Sequence, residues 1–223
     1  MIKLIITLIL TLVASITNAQ LRGSGKTITK TYDYQNFDKL NFQDLDGTIL
    51  VEIGKTWHVE VTIDDNLLPL LTFEEDKNEF LLKIFFKGNQ NNKKYIEDTN
   101  IEIKITMPES SVIKHDGNSE LIVSGIVGRY FRLENRSNGR SIVWGTIDKL
   151  DVVNTGNGQS NLKETIAKEA EVKCKGNGGV IVNVIEKLEA TASGNGYITN
   201  IGTAKFSANS SSSGNGKLVT KTK

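Results

Sequence analysis

The chain has 223 residues, 38% hydrophobic and 24% charged, with 27 Lys and Arg against 26 Asp and Glu. This near-neutral balance excludes the strongly basic surface that nucleic acid or anionic membranes select, and two prolines with 20 glycines exclude collagen-like and disordered low-complexity classes. The single cysteine, Cys174, excludes an internal disulfide, so stability must come from packing and hydrogen bonding.

Residues 1–19 read as a secretory signal peptide. Lys3 supplies the charged start, Leu4 to Val13 form an apolar run broken only by Thr7 and Thr11, and Ala14, Ser15, Thr17 and Ala19 precede an expected cut between Ala19 and Gln20. The run is about half of the ~20 residues that span a bilayer, so removal is expected rather than a retained anchor. No cysteine directly follows it to carry a diacylglyceryl anchor, and no later segment approaches transmembrane length. The expectation is an exported protein of 204 mature residues, in the periplasm, associated with the outer membrane, or extracellular. Residues 20–34 read as an N-terminal extension and 35–220 as one domain, less regular over 35–110 and regularly coiled over 111–220.

In the less regular part, Leu50 to Ile53, Val59 to Ile63, Phe80 to Phe86 and Ile101 to Ile105 alternate as strands. Asp46-Gly47, Gly54-Lys55 and Gly88 to Asn92 read as turns or loops, and Asp64-Asp65 and Glu74-Glu75-Asp76 as solvated turns. Large apolar residues here suggest a thicker core closing one end of the molecule.

A repeat dominates the second half. Asn118, Asn138, Asn157, Asn177, Asn195 and Asn215 each sit at the centre of a triplet of small residues such as Gly156-Asn157-Gly158, at spacings of 20, 19, 20, 18 and 20. Such a period marks stacked architectures. Four positions before each triplet stand Ile113, Leu133, Val152, Val172, Ala190 and Ser210; two before stand His115, Asn135, Asn154, Cys174, Ala192 and Ser212. A step of two is the period of a strand with one buried face. A second strand follows most triplets, as in Leu121-Ile122-Val123 and Val180-Ile181-Val182.

The pattern predicts an all-β solenoid in which each repeat is one winding. Gly and Asn tolerate positive φ, so the triplet is read as the bend, and stacked asparagines are expected to bond along the column. Leu162 to Ala170 strains the pattern, because Leu162, Ile166 and Ala170 recur every four residues; it is read as a polar outer corner containing a short helical turn. Ser210 to Ser213 dilute the last winding, which suits a polar cap on an open stack.

Together these residues resemble the head GIN domain proteins, a family also labelled putative auto-transporter adhesins and common in Bacteroidota. The resemblance rests on Phe37-Asp38-Lys39-Leu40 before the strand at Thr48, Val59-Glu60-Val61, Asp64-Asp65-Asn66-Leu67-Leu68, Ile101 to Met107-Pro108 and the serial Gly-Asn-Gly corners. It implies a right-handed, single-stranded β-helix and an exported location, and it carries over no catalytic residue.

No catalytic, cofactor-binding or metal-ligating residues are assigned. Gly25-Lys26-Thr27 echoes the end of a phosphate-binding loop, but Gln20 stands where the pattern needs glycine. His58 and His115 are the only histidines, and His115 has only Asp116 as an evident neighbour, so it reads as a histidine at the first coil's edge. Cys174 reads as a small core residue. Calcium-binding nonapeptides need Asp after the glycines, whereas Gln159, Gly179, Tyr197 and Lys217 follow here. Asn135-Arg136-Ser137 and Asn209-Ser210-Ser211 match the glycosylation pattern without carrying weight in a bacterial protein.

The expected function is non-enzymatic: adhesion or binding of a protein or glycan, without nucleic acid. Two alternatives stand beside it. One is a polysaccharide-acting enzyme drawing on Glu164, Glu169, Glu171, Glu186 and Glu189; the other is a self-assembling structural component of the envelope.

Overall fold

The computed structural model describes residues 21–89 and 96–221; the expected signal segment 1–19, its cleavage point and residues 90–92 of the Gly88–Asn92 loop lie outside the described residues. The described residues are all-β apart from a 3-10 turn at Leu68–Leu70. The first strands are β1 (Leu21–Arg22), β2 (Thr27–Tyr32), β3 (Lys39–Leu45), β4 (Thr48–Ile53), β5 (His58–Asp64), β6 (Leu71–Asp76), β7 (Leu81–Phe86), β8 (Ile96–Glu97) and β9 (Ile101–Met107). The repeats supply β10 (Val112–Gly117), β11 (Glu120–Asn135), β12 (Ser141–Asn154), β13 (Gln159–Gly176), β14 (Gly179–Gly194), β15 (Tyr197–Asn200), β16 (Ser211–Ser212) and β17 (Lys217–Thr220).

From β10 onward every pairing is parallel and joins one winding to the next. The inward columns are continuous. Ile113 pairs in register with Leu133, then Val152, Val172 and Ala190, while His115 pairs with Asn135, then Asn154, Cys174, Ala192 and Ser212. Stacking is what removes these side chains from water, because a lone winding has no second layer. The core cluster runs without a break from Phe37 to Ala204.

From β11 to β14, repeat length varies away from the triplets. Both arms flanking a triplet keep the same offset to the next winding, as in Asn135↔Asn154 and Ser141↔Ser160. The register shifts among these strands instead fall between Val123 and Ile126, Ile142 and Trp144, Leu162 and Ile166, and Ala167 and Glu169, at the opposite, outer corner. Bulges there absorb the extra or missing residue. This also corrects the reading of Leu162 to Ala170: the segment is strand throughout, part of β13, with Leu162 buried and Ile166 exposed. The four-residue spacing comes from a shift in a two-residue period at a corner, and no helical turn forms.

The N-terminal end is built differently. β3 and β4 form a winding that pairs with β10 and β11 on one side and with β7 and β9 on the other. Antiparallel strands then close the end: β6 on β7, and β5 with β2 on β9. Residues 27–32 of the expected extension thus belong to the same sheet. Phe42, Phe86, Leu40, Leu45, Ile49 and Ile63 are fully buried there, whereas Ala190 and Ala192 occupy inward columns at the far end. Two expected turns are corrected. Glu74-Glu75-Asp76 form the exposed second half of β6, and Asp64 is fully buried. Its Oδ1 accepts the Gly25 N–H at 2.8 Å and its Oδ2 the Asn100 N–H at 2.6 Å. Backbone donors thus stand in for the lost water. Gly25-Lys26-Thr27 belongs to this wrap, with Lys26 paired to Asp65.

Candidate functional site

The triplet corner carries a file of exposed asparagines. Asn138 Nδ2 donates to Asn118 Oδ1 at 3.1 Å, Asn157 to Asn138 at 2.8 Å, Asn177 to Asn157 at 2.9 Å, Asn195 to Asn177 at 2.8 Å and Asn215 to Asn195 at 2.8 Å. The ladder ties neighbouring windings together through side chains. The asparagines do not supply the bend, since none has positive φ; Gly117, Gly176, Gly194 and Gly214 do, at φ 116, 129, 71 and 64°. The trailing glycines have another cause. A Cβ at Gly139, Gly158 or Gly178 would overlap the backbone oxygen of Ser119, Gly139 or Gly158 in the winding below. Close stacking, not handedness, excludes a side chain there.

Behind the ladder runs a second, buried polar file. His115 is 1% exposed; its Nδ1 lies 2.8 Å from Ser141 Oγ and its Nε2 2.9 Å from Ser119 Oγ. Two hydroxyls, each able to donate or accept, satisfy a neutral imidazole, and burial pushes its pKa down to about 4. His115 is therefore enclosed in the core rather than placed at a coil's edge, and its partners are Ser119, which closes the first triplet, and Ser141, which opens the second arm of the next winding. Asn135 Nδ2 donates to Ser160 Oγ, which donates to Asn154 Oδ1. Asn135 is fully buried, which removes the first glycosylation match as an acceptor. Cys174 is buried, with Sγ 3.3 Å from the Gly178 carbonyl, and burial raises its thiol pKa, leaving it weakly nucleophilic.

The flat arm before the triplets presents fixed, interleaved charge. Arg132, Asp151, Glu171 and Glu189 stand in register on successive windings. Arg132 Nε donates to Glu134 at 2.8 Å, Tyr130 Oη to Asp151 at 2.8 Å, and Lys173 lies 2.6 Å from Glu171. The five glutamates considered for polysaccharide chemistry divide between two places. Glu164 and Glu186 are at the outer corner, and Glu169, Glu171 and Glu189 are on this face, because β13 and β14 run straight through it. The Lys173 ammonium holds the Glu171 carboxyl below its usual range, which suits an ion pair and not a proton donor. Among the described residues no group of three or more His, Cys, Asp or Glu is arranged to hold a metal ion.

At the N-terminal end aromatic residues gather. Phe73 packs against Tyr32 and Tyr34, with ring centroids 4.5 and 5.2 Å apart. Phe80, read from the sequence as the start of a strand, instead ends the β6–β7 turn with φ 53° and is 55% exposed. A cleft of about 480 Å³ and another of about 400 Å³ flank it.

These features define an all-β solenoid whose windings are locked by an outer amide ladder and an inner polar file, with most patterned groups on its surface. The chain belongs to the family described as "Putative auto-transporter adhesin, head GIN domain", whose profile matches residues 36–204. Solved structures share the fold at low identity. A putative adhesin from Bacteroides fragilis is 22% identical with a TM-score of 0.68, covering 90% of this chain and 100% of that one. One from Parabacteroides merdae is 20% identical with a TM-score of 0.55, covering 91% and 99%. A Parabacteroides distasonis protein described as a putative lipid binding protein is 20% identical with a TM-score of 0.53, covering 91% and 100%. No curated protein matches the chain. No helix among the described residues is long and apolar enough to cross a membrane.

Proposed function

We propose that the protein is a non-enzymatic, exported binding protein of the cell envelope or surface, which displays a rigid solenoid to a protein or glycan partner. The observation that carries this reading is the double locking of the windings, by the Asn118-to-Asn215 ladder outside and the His115-to-Cys174 file inside. A surface held this stiffly loses little conformational entropy on contact, which is what adhesion by many weak contacts needs. Family membership and adhesin-described neighbours support the reading. His115 and Cys174, whose ionisation burial disfavours, are enclosed in the core, away from any substrate.

The test has two arms. Protease added to intact cells should cleave the protein if it is displayed outside. Purified protein immobilised on beads should retain a defined envelope or host component above a control carrying Arg132→Glu and Lys173→Glu. Protection from protease together with equal retention by both beads refutes the reading.

A further inference from the structure

The geometry points to the Phe80 cleft at the N-terminal end of the stack as a binding site for a neutral oligosaccharide. This rests on the display reading above and deepens it by assigning a surface and a ligand class.

Asp76 pairs with Leu81, so Lys77 to Phe80 form the four-residue connection of the β6–β7 hairpin. The closing position of such turns takes left-handed backbone, and Gly or Asn is the usual occupant. Phe80 sits there at φ 53°, with more than half of its surface in solvent. Core burial therefore does not account for the ring. The surroundings hold it in place: Phe80 O accepts the N–H groups of Asp38 and Lys39 at 3.0 and 3.1 Å, and Lys39 Nζ donates to Glu79 O at 2.8 Å. A bulky residue kept in a strained conformation, facing water and clamped by its neighbours, is the pattern found at ligand sites.

The ring divides two clefts that share Asn36, Phe37 and Phe80. Both volumes fall in the range of small-ligand sites. The second cleft adds Trp57, whose indole is pinned by an Nε1–H bond to Phe37 O at 3.0 Å. A pyranose has an apolar C–H face for such rings and a rim of hydroxyls that both donate and accept. Each cleft offers both kinds of partner. Asp33, Glu75 and Asp76 stand with Lys77 in the first, and Asp38 and Glu109 with Lys39 in the second. The carboxylate excess in each disfavours acidic sugars, and the lysine in each offsets part of that charge and adds a donor for sugar hydroxyls. Two clefts meeting at one ring suit a ligand longer than a single sugar.

Phe80→Gly is the decisive variant, because glycine accepts the backbone angle while deleting the ring. The probe is an array of neutral and acidic oligosaccharides with a basic peptide as a third arm. Wild type should bind neutral oligosaccharides, and Phe80→Gly should bind them about tenfold more weakly or worse, the share of one aromatic contact, with an unchanged melting temperature. Phe80→Asn, which also tolerates the angle, repeats the test should the glycine variant melt early. In a Trp144→Phe background Trp57 is the remaining tryptophan, and its emission should shift on titration with the bound oligosaccharide. Equal binding by wild type and both variants, binding confined to acidic sugars or the peptide, or an empty array overturns the assignment. An empty array combined with retention of an envelope protein in the bead assay leaves the display reading intact and removes only this site.

Discussion

Acid should destabilise this protein through one buried group, and the size of the effect follows from its surroundings. His115 is enclosed with only Ser119 and Ser141 hydroxyls at its ring nitrogens, and its pKa falls to about 4 in the fold. In the unfolded chain an imidazole titrates near 6.5. The core thus accepts the neutral ring, and its contribution is fully present above about pH 6.5 and is lost as pH falls towards 4. The 2.5-unit gap corresponds to about 3.4 kcal/mol once both states are protonated, and to about 2 kcal/mol at pH 5. The assay is urea unfolding of wild type and His115→Asn at pH 7, 6, 5 and 4.5. Asparagine suits the site because Asn135 and Asn154 fill the same column in the next windings, and it does not titrate, so the difference between the two proteins cancels the carboxylates. Wild type should lose about 2 kcal/mol relative to the variant between pH 7 and pH 5. A difference that stays constant over that range refutes the argument that desolvation sets the state of His115.

Three further outcomes test the stacking. Gly158→Ala drives a Cβ into Gly139 O and should cost about 3 kcal/mol, read as a lower urea midpoint at unchanged slope. Asn157→Ala removes one donated and one accepted ladder bond at an exposed corner and should cost about 1 kcal/mol, less than Gly158→Ala although it alters the same triplet. Cys174, buried and with its thiol pKa raised, should resist alkylation at pH 8 in the folded protein and react promptly in urea; rapid labelling of the native chain would contradict its enclosure.

Much of the repetitive half was legible in sequence. Leu133, Val152 and Val172 are spaced as one column, and a two-residue alternation beside a repeating triplet leaves few ways to bury them. The role of the triplets was only half legible. That asparagine tolerates positive φ suggested the bend, whereas the bend belongs to some of the leading glycines, and the asparagines act through their amides. The trailing glycines answer to the backbone of the winding below, which is absent from any local reading. Leu162 to Ala170 misled because a register shift at a corner imitates a helical spacing. Phe80 was hidden for a related reason: no glycine marks its turn, so the left-handed position appears only once β6 and β7 are paired.

The order of residues along the chain settled the period, the inward columns and the amide file, because each depends on neighbours two apart or on one composition repeated at a constant interval. Tertiary structure alone decided that β3 and β4 lie inside the stack, that antiparallel strands close its end, that Asp64 and His115 are enclosed, and that Phe80 stands between two clefts. Each of those depends on segments tens of residues apart meeting in space, where burial and backbone pairing, not local propensity, set the outcome.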